Sequence, residues 1–228
     1  MITGTLINVA AVAIGSLAGL IFHARLPSRF TEILFQAIGL FTIVLGISMA
    51  LKAEEWILVI LSLIIGSITG ELLRLDRFFD QLADRLGKRF SAESAVFNEG
   101  LLTAFLLFCM GSMTILGAIE EGLGGKPELY YIKSLMDGIS SVALASGLGL
   151  GVLFSIIPLF IYQAGLTLLA ANFGEFMPSL MITGISATGG VILIGLGLNL
   201  LKISNLRILN MLPSLFLLVL FTWIYQLL

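Results

Sequence analysis

The chain has 228 residues, 58% apolar and 11% charged, with a net charge of −2 and a mean hydropathy of +1.10. That leaves no room for a separate soluble catalytic domain and provides no basic face for nucleic acid. A single cysteine, Cys109, and a single histidine, His23, exclude an intrachain disulfide and a Cys/His zinc cluster.

Charge-poor windows predict membrane spans in chain order at 3–22, 33–51, 56–73, 100–119, 138–174, 180–201 and 208–227. Each is expected to be helical, because lipid offers the backbone no hydrogen-bond partner. The first has neither the basic flank nor the small-residue site of a cleaved signal and is expected to remain as a span. As one helix, 138–174 would run about 55 Å through a hydrocarbon layer of about 30 Å. It is therefore expected to break near Pro158, where proline removes a helix hydrogen bond. The fold class is all-α and polytopic, with about eight transmembrane helices, or seven if 138–174 is one element.

Charge distribution favours eight. One set of connections then carries Arg25, Arg29, Arg74, Arg77, Arg85, Lys88, Arg89, Lys202 and Arg207, and the other only Lys52, Lys126 and Lys133. The positive-inside rule puts the first set in the cytoplasm and both termini outside. Between spans three and four, Leu75, Phe78, Phe79, Leu82, Leu86 and Phe90 recur at helical spacing against charged neighbours. That pattern predicts an amphipathic interfacial helix over 75–90. The chain is read as one membrane domain, 1–228, made of a first half 1–74, a linker 75–97 and a second half 98–228.

Internal echoes suggest a repeat. The segment Ala11–Phe22 resembles Ala143–Phe154, and Gly39–Lys52 resembles Gly189–Lys202. Spans one and five would point the same way, making the repeats parallel. Glycine pairs four residues apart, Gly15/Gly19, Gly66/Gly70 and Gly147/Gly151, make smooth faces for close helix packing. The sharper alternative is that Gly111, Gly117 and Gly147 break their helices and expose polar backbone, as in transporters.

Candidate ligand residues follow from that alternative. Ser112 and Thr114 lie beside Gly111 and would partner freed backbone groups. Asp137 is expected either to cap the fifth span or to serve as a coupling carboxylate, and Glu71 either to pair with Arg74 or to share that role. Gln163 and Asn199, with Tyr162, Asn172, Ser186 and Thr188, are polar groups inside later spans. They either join helices or line a cavity.

The motifs Phe108–Leu123, Lys133-Ser-Leu-Met-Asp137-Gly, Ala145-Ser-Gly147, Tyr162-Gln-Ala-Gly-Leu-Thr167, Ile185-Ser-Ala-Thr-Gly-Gly190 and Gly197-Leu-Asn199 resemble the bacterial YqgA-like membrane proteins, domain of unknown function 554. The resemblance covers essentially the whole chain. It implies a prokaryotic cytoplasmic (inner) membrane location and no particular activity.

The functional expectation is a small secondary transporter or channel-like carrier for an ion or small polar metabolite. Ser112, Thr114, Asp137, Gln163 and Asn199 would bind it, and Asp137 or Glu71 would couple it. The alternative is a scaffold or sensor that recruits a cytosolic partner through the 75–90 helix. No enzyme is expected, since there is no His-Glu-x-x-His pattern and no serine with a histidine base. No cofactor or metal is expected. Eight short spans leave little shielded space in one copy, so a homo-oligomer is expected.

Overall fold

The computed structural model describes residues 2–23, 28–77, 94–109, 112–173 and 178–227. They form helices α1 (Thr3–His23), α2 (Ser28–Ala50), α3 (Trp56–Leu73), α4 (Ser94–Cys109), α5 (Ser112–Gly122), α6 (Glu128–Leu148), α7 (Leu150–Phe154), α8 (Ile156–Phe173), α9 (Ser179–Leu200) and α10 (Pro213–Leu227), with a 3₁₀ turn at Ile208–Met211 before α10. No strand occurs among the described residues. Most of the 75–90 amphipathic helix, and Gly111, lie outside them.

Five segments are long and apolar enough to cross a membrane: Thr3–Phe22, Trp56–Leu73, Leu150–Asn172, Ser179–Leu200 and Ile208–Leu227. The pair Val96–Cys109 and Met113–Gly122, bent by 60°, meets the same test taken together, as a broken span or a re-entrant loop, so the described residues hold five or six such segments. This is a multi-pass membrane protein, and α3 explains why in residue terms. Its buried residues are Leu58, Val59, Ser62, Gly66 and Gly70, while Ile57, Ile60, Ile64, Ile68 and Leu72 are exposed. From Ser62 onwards small groups lie inside and large apolar groups outside, which reverses the pattern of a water-soluble helix, and lipid is the solvent that accepts it.

The chain forms two compact units. The first comprises residues 1–37, 83–109 and 113–176. In it α1 lies along α6, and the contacts advance together. Gly4 meets Pro127 and Tyr130, Gly15 meets Gly138 and Ser141, and Gly19 meets Val142 and Ala145, so the two helices run parallel. At Gly19 a β-carbon would fall 2.8 Å from that of Ala145, closer than side chains tolerate. Gly151 of α7 likewise faces the Phe97 carbonyl of α4, beside a cluster of Phe97, Leu101, Leu150 and Phe154. The Phe97 and Phe154 rings lie 5.4 Å apart.

The second unit comprises 38–82, 110–112 and 177–228. Here Gly46 packs on Gly190 and Ile194 of α9, while Gly39 packs on Gly197 and Leu201, so α2 and α9 run antiparallel. Gly66 and Gly70 of α3 pack on Ser214 and Asn210, in reverse order, so α3 and α10 are antiparallel as well. The paired glycines singled out in the sequence thus include helix contacts in both units.

Two expected breaks move. Gly147 is buried within α6, and the chain turns instead at Gly149, whose φ of 70° and ψ of −148° suit glycine alone. Pro158 sits in the first turn of α8, three residues after the boundary with α7 at Ser155, but Leu150–Asn172 runs on as one span, so the chain does not fold back there. Gly117 is also helical, inside α5, and faces the ring of Tyr130 with 2.9 Å available to a β-carbon. It is a packing position, not a break.

Candidate functional site

Helix α6 starts at Glu128, a full two turns before Asp137, so Asp137 is no N-cap. It lies mid-helix, one turn after Lys133, and the two form an ion pair. Only 6% of the Lys133 side chain and 12% of the Asp137 side chain remain exposed. An ionised pair that deep is costly to desolvate and needs further hydrogen bonds. One comes from α1, where Asn8 Nδ2 donates to Asp137 Oδ2 over 3.0 Å. The same Asn8 Nδ2 donates to Gln163 Oε1 on α8 over 3.2 Å. Three helices therefore converge on one polar cluster, with the Lys133 ammonium 6.0 Å from the centre of the Phe108 ring.

The cluster is not saturated. Asp137 Oδ2 needs a donor, which fixes the Asn8 amide with its oxygen turned away. Among the described residues, Asn8 Oδ1 and Gln163 Nε2 are fully buried with no hydrogen-bond partner. A buried amide group left unpaired costs free energy, and buried hydroxyls such as those of Thr5 and Thr167 in the neighbouring layer share that condition.

One turn away from Asn8 and Gln163, towards the start of α1, is a second polar layer. Tyr130, fully buried, donates from its hydroxyl to the Thr114 carbonyl over 3.0 Å, near the hydroxyls of Thr5 and Thr167. Beyond it the Gly4 amide donates to Glu121 Oε1 over 2.8 Å, placing a carboxylate at the positive end of α1. Thr114 itself bridges the bend between α4 and α5. Its hydroxyl donates to the Phe108 carbonyl over 3.0 Å, partnering a group that the broken helix frees. The Ser112 side chain lies outside the described residues, and Ser112 opens α5.

The remaining candidates are in the second unit. Asn199 ties down the chain after α9: its Nδ2 donates to the Leu206 carbonyl, and its Oδ1 accepts from Ser204 Oγ and the Leu206 amide. Glu71 pairs with Arg207 and accepts from Asn210 Nδ2, rather than pairing with Arg74, which has turned into the left-handed region to end α3. Both Glu71 and Arg207 side chains are more than half exposed. The Glu71 carboxylate accepts from the Arg207 guanidinium and raises its pKa above the ordinary arginine value. These contacts join chain segments at the helix ends.

Asp137 and Gln163 are thus brought together with Asn8 and Lys133, neither of which the sequence singles out as a candidate, while Tyr130 and Glu121 form the neighbouring layer. Asn8 could have been found: it is the one side-chain amide in the first span, whose other polar side chains are the hydroxyls of Thr3, Thr5 and Ser16.

A family model described as "Protein of unknown function (DUF554)" matches residues 3–223. The "Uncharacterized membrane protein YdfK" of Bacillus subtilis (strain 168) is 34% identical over 216 residues, 93% of this chain and 92% of that protein. The "Uncharacterized protein YqgA" of Escherichia coli (strain K12) is 29% identical over 222 residues, 95% of this chain and 94% of that protein. No solved structure matches.

Proposed function

We propose, for a chain that belongs to the DUF554 family, a small secondary transporter or channel-like carrier of an ion or small polar metabolite, with its site at Asn8, Lys133, Asp137 and Gln163. The observation that carries this reading is the buried ion pair and its amides, drawn from α1, α6 and α8. A membrane protein that needed only stability would do as well or better with apolar residues there, since desolvating the charges offsets their attraction. Ionisable groups at membrane depth mark solute or proton paths.

The architecture lends support. In the second unit α2 opposes α9 and α3 opposes α10. If α2 and α3 are successive crossings, α3 and α9 cross in the same direction, which requires an odd number of crossings between them. The α4–α5 pair, α6 and the α7–α8 pair supply three, for eight in all. Gly149 then replaces Pro158 as the turn between spans five and six. The related segments Gly39–Lys52 and Gly189–Lys202 lie on the antiparallel helices α2 and α9. Repeats paired there would be inverted, whereas the echo of Ala11–Phe22 in Ala143–Phe154 joins the parallel helices α1 and α6, so the two echoes do not fit one repeat and the carrier reading does not rest on them. We place the protein in the cytoplasmic membrane of a prokaryote, as a homo-oligomer.

The test is reconstitution. Proteoliposomes should show protein-dependent, saturable uptake of a small solute or ion, and Asp137→Asn should abolish it while the variant still elutes as a folded particle in detergent. Uptake unaffected by Asp137→Asn would remove this cluster from the mechanism.

A further inference from the structure

Among the described residues three charged side chains are buried, Glu121, Lys133 and Asp137, and all three belong to the first unit. That is two acids to one base. Both acids are held by α1, since the Gly4 amide donates to Glu121 Oε1 and Asn8 Nδ2 donates to Asp137 Oδ2, and four residues of helix advance about 6 Å. The carboxylates thus hang one turn apart on one helix. Asp137 is balanced by Lys133, whereas Glu121 has no ion-pair partner among the described residues, and its Oε2 is buried with no hydrogen-bond partner. One negative charge is left over in a low-dielectric interior, where it is costly. A proton cancels it without needing a hollow, because it becomes part of a carboxyl group at Oε2 and leaves the Gly4 bond to Oε1 in place. A metal ion asks for more, and no group of three or more His, Cys, Asp or Glu side chains that could hold one occurs among the described residues. Around the two acids, α1 has no ionisable side chain before His23, α8 has only Tyr162, α4 has Glu99 and Cys109, and α5 and α6 add Glu120, Glu128, Tyr130 and Tyr131. None of these is a base.

We propose that the ion carried is the proton, and that Glu121 is a second proton-binding carboxylate working with Asp137. In the transfer step the proton leaves Oε2 of the Glu121 carboxyl and adds to the Asp137 carboxylate, so one carboxyl is lost, one is gained and the total charge is unchanged. Lys133 keeps its ammonium throughout. Thr5 stands between Gly4 and Asn8 on α1, and its buried hydroxyl lies with those of Tyr130 and Thr167 in the layer separating the two acids. Hydroxyls both accept and donate, as a proton relay requires. This inference rests on the carrier reading and names its cargo.

The experiment uses the full chain in vesicles loaded with a pH-sensitive dye, with a potassium gradient and valinomycin setting the membrane potential. Protein-dependent proton entry should follow the potential, and Glu121→Gln and Asp137→Asn should each abolish it. Glu121→Gln keeps an oxygen for the Gly4 amide, so its melting temperature in detergent should match that of the wild type. Glu121→Asp, which retains a carboxyl one methylene short, should lower the flux without abolishing it. Full flux in Glu121→Gln overturns the proposal and leaves that side chain as a tie to the start of α1. The wild-type arm decides without any variant, because no proton entry there overturns the proposal as well. Parallel vesicles receive radiolabelled sodium, rubidium or a mixture of small polar metabolites. Protein-dependent uptake of one of these without proton entry overturns the proton and leaves the carrier standing. If nothing moves at all, both fall.

Discussion

Lys133 with Asp137 in the first unit and Glu71 with Arg207 in the second are both ion pairs extended by an asparagine, Asn8 in one and Asn210 in the other. They differ in burial. The first is enclosed by three helices, with amide atoms left unpaired beside it; the second stands more than half exposed at the end of α3. Chemistry that looks alike in the sequence therefore does two jobs. In the open, charges tie loops to helix ends and their solvent carries most of the energy. Enclosed, they are expensive to desolvate, and the carrier reading gives that cost a reason.

The sharpest way to break this contrast is to remove one partner of each pair. Lys133→Met leaves a buried carboxylate alone and should destabilise the protein by about 3–5 kcal/mol, read as a large fall in detergent melting temperature. Glu71→Gln, at an exposed site, should leave the melting temperature within measurement error. Replacing both Lys133 and Asp137 by Met should recover most of the stability lost by the single variant while abolishing uptake. Failure of the double variant to recover would make the pair structural. Between these extremes, Gly149→Ala forces a side chain into a backbone region reserved for glycine and should cost about 1–3 kcal/mol. Asn199→Ala removes the hydrogen bonds that close the chain after α9 and should cost about 1 kcal/mol without altering uptake. A loss of uptake in Asn199→Ala would draw the second unit into the site.

The spans were readable because hydropathy is additive along a helix. Thr3–Phe22, Trp56–Leu73 and Ser179–Leu200 fall within a few residues of their predicted windows. The glycine faces were readable too, since residues four apart share a side of a helix. What failed depended on where helices begin. Charge-poor runs hide the start of α6, because Glu128 and Lys133 lie outside the apolar window while still helical, which is why a cap stands beside a coupling carboxylate among the roles expected of Asp137. Pro158 drew the break because proline interrupts interiors, yet it stands in a first turn. Gly149, one glycine among many in that run, carries no local signature of its positive φ. The partnership of Asn8 with Asp137 and Gln163 spans more than 120 residues, and no spacing rule reaches that far.

Cys109, the only thiol of the chain, is fully buried at the end of α4. A bulky maleimide should therefore leave the native protein unlabelled, so a cysteine introduced at one surface position reports on that position alone. Placed in turn at Lys52, Lys126 and Lys202, such a probe assigns each connection to a side of the bilayer in intact cells. Labelling of the first two from outside and of the third only after permeabilisation would fix the crossing number without any knowledge of what the protein carries.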